Sequence, residues 1–278
     1  SAVLSNSGTL DVSGGDLTLS QSPNFTNTGT LTVGPTRTLT VSGGSFTQQT
    51  GATLNGGGTL TLNSVSAAFN TAFTLGTLNV AGGSASFATN LSTGVQALNF
   101  SSTTINGPGS LSNPVGQTLT LTSSTIGPTM ALDNQGLLVL HNTSVALNGA
   151  LTTGPSSTLR VEAQGGAFNT FATVANGFTN NGAIELTSIS GALAASLTVT
   201  AGTLTNASTG TISSLAGTGG ARTLAAQLDN QGTLTVNQAL TLGRSSAVHS
   251  NSSLIDVSGG DLTLTQSGTT PSFTNTGT

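Results

Sequence analysis

Asn27-Thr-Gly-Thr-Leu31-Thr-Val33 is the stretch that decides the fold. From Thr30 to Val33 hydroxyl and apolar side chains alternate strictly. That period of two sends Leu31 and Val33 to one side of an extended strand and Thr32 to the other. The Asn-Thr-Gly ahead of it is turn chemistry, because Asn and Gly tolerate left-handed backbone. A strand of four residues has no stability alone and must be paired on its neighbours.

The stretch recurs as Asn6-Ser-Gly-Thr-Leu10-Asp-Val12 and Asn230-Gln-Gly-Thr-Leu234-Thr-Val236. Looser copies begin at Asn134, Asn180 and Asn251. A second alternation follows, at Leu17-Thr-Leu19, Leu39-Thr-Val41, Leu240-Thr-Leu242 and Leu262-Thr-Leu264, and Phe25, Phe46, Phe69 and Phe273 close several units. Repetition of short strands and turns at this spacing is the signature of stacked coils. We therefore expect an all-β fold, a right-handed parallel β-helix (β-solenoid) with coils of roughly 20–25 residues. Leu10, Val12, Leu31, Val33, Leu234 and Val236 are the expected core, with Thr32 and Thr235 outward. No segment keeps a 3.6-residue apolar period. Pro108, Pro114, Pro128 and Pro155 suggest longer turns or loops in the middle of the chain.

A longer repeat lies over the short one. Residues 1–22 return at 246–267, and Pro23–Thr30 returns as Pro271–Thr278 after three inserted residues, with about four in five positions identical. Coil-to-coil similarity is far weaker, so this is read as tandem duplication of a module of about 245 residues. Residues 1–278 are then one continuous solenoid in which 246–278 begin the next copy of 1–30. The motif cut at Thr278 suggests a polypeptide that continues.

The Asn-x-Gly-Thr-Leu-x-Val and Phe-Thr-Asn-Thr-Gly-Thr-Leu-Thr-Val patterns resemble the repeats of bacterial exported β-solenoids. Filamentous-haemagglutinin-type adhesins and autotransporter passenger domains are the groups they resemble most. The resemblance implies a secreted or surface-displayed rod serving adhesion, matrix or biofilm. It carries over no catalytic motif.

Composition removes several functions. Only 4% of residues are charged, net charge is −4, and Lys is absent, which leaves no basic cluster to neutralise nucleic-acid phosphates. There is no Cys for disulfides or thiolate metal sites. No apolar run approaches the ~20 residues of a membrane span. With two His as the side chains titrating near neutrality, stability should depend little on pH between about 5 and 9.

The most patterned polar residues are Asn6, Asn27, Asn134, Asn180, Asn230, Asn251 and Asn275. They are read as a structural ladder of amides bonding one another or the local backbone in stacked turns, in preference to a glycan-binding array. Threonine pairs such as Thr38/Thr40 and Thr59/Thr61 admit a flat ice-binding face, but irregular coil lengths speak against a lattice match. Asp11 and Asp16, repeated as Asp256 and Asp261, lack the basic partner or paired acid that polysaccharide cleavage requires. Arg160 and Glu162 read as a surface pair. No catalytic, metal or cofactor site is assigned. The expected function is a structural element of an extracellular or cell-surface fibre, its partners being further copies of its own module end to end, with an axial repeat near ~50 Å. The alternative is an adhesin stalk that binds host or matrix glycans.

Overall fold

The computed structural model describes residues 2–165 and 168–278. Every strand pair within them is parallel, and no helix occurs among the described residues. The chain forms two compact units, residues 1–112 with 124–131 and residues 113–123 with 132–278. Each is a parallel β-solenoid.

In the first unit one face stacks Leu17–Leu19, Thr38–Ser42, the opening half of Thr59–Phe69, that of Thr77–Phe87, and Ala97–Ser101. Alternation puts Leu39, Leu60, Leu78 and Leu98 inside, one above another. A second face runs from Val3–Asn6 through Asn24–Asn27 and Ser45–Gln48 to Thr125–Ile126. The third carries Thr9–Val12, Thr30–Val33 and Thr53–Asn55, then only a bridge from Asn55 to Thr74. The coil from Leu60 to Leu78 takes 18 residues, too few for a full third strand. Down the core run stacked rings: Phe25 on Phe46 at 5.7 Å, Phe46 on Phe69 at 5.5 Å and Phe69 on Phe87 at 4.9 Å between centroids. Each fully buried ring or Leu contributes about 1.5–3 kcal/mol of transfer free energy.

The second unit repeats this plan. One face stacks Thr118–Thr122, Leu137–His141, Thr158–Ala163, Ala183–Ser188, Thr211–Ser214, Thr233–Val236 and Leu254–Asp256. Its inward row of Leu119, Leu138, Leu159, Ile184, Ile212 and Leu234 is buried throughout. Coil length varies around it, from 19 residues between Leu119 and Leu138 to 28 between Ile184 and Ile212. One corner varies widely. Asn142 alone links Leu137–His141 to Thr143–Leu147. In the next three coils the same corner lies between the strands ending at Ala163 and beginning at Thr170, at residues 189–194 and at residues 215–221.

The prolines do not lengthen the coils. Gly34-Pro35, Gly127-Pro128 and Gly154-Pro155 open tight turns closed by Arg37 N to Gly34 O (3.0 Å), Met130 N to Gly127 O (3.1 Å) and Ser157 N to Gly154 O (3.1 Å). Proline's fixed φ suits the second position of such a turn. Other corners between faces are made by left-handed residues. At Gly43 and Gly44 φ is 71° and 67°, and a Cβ on Gly44 would lie 2.0 Å from the Pro23 carbonyl oxygen of the adjacent coil.

Of the expected core, Leu31, Val33, Leu234 and Val236 are fully buried and Val12 is nearly so. Leu10 is half-buried, its strand being paired on one side, to Thr30–Val33. Thr32 and Thr235 are half-exposed on the outer side of their strands.

Candidate functional site

Asn27 ends the strand Asn24–Asn27, two positions after Phe25. The alternation that buries the ring therefore buries the amide, and a buried amide is costly unless its hydrogen bonds are made. Here they are. Oδ1 accepts from Asn6 Nδ2 at 2.8 Å, while Nδ2 donates to Gln48 Oε1 at 2.8 Å and to the Thr53 carbonyl at 3.0 Å.

The second unit builds the same corner repeatedly. Nδ2 of Asn113 donates to Asn134 Oδ1 at 2.8 Å. A longer run passes from Asn180 to Asn206 (2.8 Å), Asn230 (2.7 Å), Asn251 (2.6 Å) and Asn275 (2.7 Å). Most of these nitrogens also donate to a backbone carbonyl of the following coil, at Thr211 for Asn180, Thr233 for Asn206 and Leu254 for Asn230.

The ladder breaks in two places. Gln48 is followed in register by Phe69, and its Nε2 is buried without a partner. Asn134 is followed by Thr153, whose hydroxyl donates to the Thr179 carbonyl at 2.9 Å, and Asn180 Oδ1 is left without a donor. Asn6, Asn27, Asn134, Asn180, Asn230, Asn251 and Asn275 thus all take part in amide-to-amide bonds. Gln48, Asn113 and Asn206 belong with them and escape the Asn-x-Gly motif. Their signal is an amide two places after an inward apolar residue, as in Phe46-Thr-Gln48, Leu111-Ser-Asn113 and Leu204-Thr-Asn206.

Ionisable groups are unevenly spread, and residues 38–132 contain none. Arg160 Nε lies 2.7 Å from Glu185 of the next coil, while Nη1 lies 3.8 Å from Glu162, so Glu185 is the closer partner. His141 stands beside Glu162 in register; its Nε2 meets Thr122 Oγ1 at 2.9 Å and its Nδ1 is buried without a partner. Burial lowers the His141 pKa, partly opposed by Glu162. His141, Asn142, Gln164, Gly165 and Phe168 line a cavity of about 270 Å³, with Phe168 and Phe171 about half exposed.

Two titratable side chains lie in the core. His249 occupies the inward position that Leu4 fills in the repeated segment, and its Nδ1 accepts from Leu228 N at 3.1 Å. Its Nε2 is buried unpaired, and burial lowers its pKa. Arg222 is 1% exposed, with no carboxylate in contact. Its guanidinium donates to the carbonyls of Leu186, Leu193, Leu215, Ala216, Gly219 and Ala221 at 2.9–3.3 Å, tying 189–194 to 215–221. Burial lowers its pKa too. The strand Arg222–Asn230 alternates with Leu224, Ala226 and Leu228 inward, so its arginine is inward by the same count.

The carboxylates serve local bonds. Asp11 accepts from Ser13 Oγ at 2.9 Å and Asp16 from Thr38 N at 3.0 Å. Asp256 lies beside Thr235 in register, and Asp261 is exposed. Among the described residues no three His, Asp or Glu side chains gather to hold a metal. The outer threonine row Thr40–Thr61 gives way to Asn79 and Asn99. No helix among the described residues is long and apolar enough to cross a membrane. Comparison with protein-family models, with curated proteins and with solved structures gives no match for this chain, so its reading rests on the coils and ladder just described.

Proposed function

We propose that the chain is a length-forming module of an extracellular structural fibre, continued by further copies of itself and without catalysis. The observation that carries this reading is the common register of the repeated segment. In one copy Val3–Asn6 lie on Asn24–Asn27, with Leu4 beside Phe25; in the other Val248–Asn251 lie on Ser272–Asn275, with His249 beside Phe273. The three inserted residues, 268–270, fall in a connection outside the strands. The second copy supplies the surface beneath the segment, with Leu234 under Ile255 and Leu240 under Leu262. The first copy supplies the surface above it, with Phe25 on Phe46 and Leu31 on Leu54. A seam between modules therefore needs only pairings that the chain already makes. The charge-poor, Cys-free composition and the resemblance to exported haemagglutinin-type solenoids favour a place outside the cell.

Chains of one, two and three modules, fused through the repeated segment, test this by electron microscopy. Contour length should rise in equal steps at constant width. Beads joined by flexible links would refute it, and polysaccharide turnover abolished by Asp11→Asn or Asp256→Asn would refute the absence of catalysis.

A second reading, an adhesin that binds glycans, is favoured by the cavity beside His141. Phe168 offers an apolar face, and Asn142 and Gln164 offer amides suited to sugar hydroxyls. A glycan array probed with wild type and Phe168→Ala separates the two readings: glycan binding lost in the variant supports the adhesin.

A further inference from the structure

The amide ladder has a direction. In all seven amide-to-amide bonds of its runs the residue earlier in the chain donates and the later one accepts. The direction does not depend on which way an amide is drawn. The atom called Nδ2 also faces backbone carbonyls, Thr30 for Asn6, Thr53 for Asn27, Thr158 for Asn134 and Thr233 for Asn206. A carbonyl accepts and never donates, so that atom must be the N–H side. Each run thus presents an oxygen toward the preceding coil and two N–H donors toward the following one.

We infer that the ladder is a one-way connector that fixes the orientation in which a second copy of the module adjoins. The inference rests on the module reading above and names the contact. By repeat equivalence Asn275 stands where Asn27 stands, so its donors are set to meet an amide oxygen placed as Gln48 Oε1 is, with a carbonyl placed as that of Thr53 beside it. A copy laid head to tail brings acceptors to those donors. A copy laid head to head brings amide nitrogen to amide nitrogen, and one laid tail to tail brings oxygen to oxygen. In a buried corner such a mismatch leaves both groups unsatisfied. The placement of the runs agrees: the longest, Asn180 to Asn275, leads into the repeated segment, while the breaks at Phe69 and Thr153 lie away from it.

Direction makes a prediction that packing alone does not. Asn206→Asp keeps the acceptor used by Asn180 and removes the donors to Asn230 and Thr233. Hydrogen exchange at pH 8, read by mass spectrometry, should therefore quicken about tenfold over residues 228–236 and stay unchanged over 178–184. Asn206→Leu, which removes both functions, should quicken both segments. Asn251→Asp repeats the test two rungs later, with Ser272–Asn275 as the affected strand, and reports even if the first variant fails to fold. Equal quickening on both sides in an Asp variant, or none, overturns the connector. That outcome leaves the module reading standing, since the contour lengths of fused modules are measured independently of it.

Discussion

Nδ2 of Asn230 donates to Oδ1 of Asn251 at 2.6 Å, across 21 positions of sequence and one step of the coil. The two side chains are fully or almost fully buried, and the repeated motif sets both at the same corner. An amide is the side chain that can accept from the coil below and donate to the coil above at once. A threonine in the same row has one donor and spends it elsewhere.

Thr153 is that threonine. Thr153→Asn would place an amide between Asn134 and Asn180 and supply the donor that Asn180 Oδ1 lacks. The variant should be more stable by about 1 kcal/mol, the net worth of one satisfied buried hydrogen bond after the Thr153 bonds are lost. Urea denaturation measures it, and a lower midpoint would count against the ladder as a stabilising element.

Arg222→Leu should destabilise strongly, by about 3 kcal/mol or more, because it strips donors from six carbonyls at once. Limited proteolysis should then cut first within 189–194 or 215–221. Arg222→Lys should rescue little, since a compact ammonium lacks the planar fork that reaches both segments. Free guanidinium ion should partly restore protection in Arg222→Ala.

Stability should fall on the acid side. Burial holds the His249 and His141 pKa values below the unfolded value of about 6.5, so the unfolded chain takes up protons first as pH drops. Stability is full above about pH 6.5 and declines below it until the folded-state values are passed. The flat window expected from composition is thereby narrowed from below. His249→Leu, the residue of the other copy, should raise the melting temperature more at pH 5 than at pH 8. An equal rise at both values would exclude His249 as the source.

Phe46→Ala removes the ring between Phe25 and Phe69 and should cost about 3–5 kcal/mol. Thermal unfolding followed by far-ultraviolet circular dichroism would show it. A change under 1 kcal/mol would mean that the stack closes over the gap.

The fold is readable because Leu31, Val33, Leu234 and Val236 obey one local rule, alternation, that owes nothing to distant sequence. The ladder is readable only in part. Asn-x-Gly locates the copies in which a turn follows at once, whereas Asn113 and Asn206 precede other turns and show only as amides two places after an inward apolar residue. Arg222 shows a different limit. Its strand alternates as clearly as any, but charge argues for the outside, and what reverses that argument is a cage of carbonyls from residues 186–221. Pro128 and Pro155 mislead because proline marks a turn without giving its length.

The corner after the stacked strands from Leu137–His141 to Thr211–Ser214 carries one residue in one coil and six or seven in the next three, yet the row from Leu138 to Ile212 never leaves register. Length at that corner is therefore independent of the strand register, although Arg222 holds 189–194 and 215–221 to the interior. For an engineer it is a grafting position: a foreign peptide between Ala163 and Thr170 would be carried outward while the strands on either side keep their neighbours.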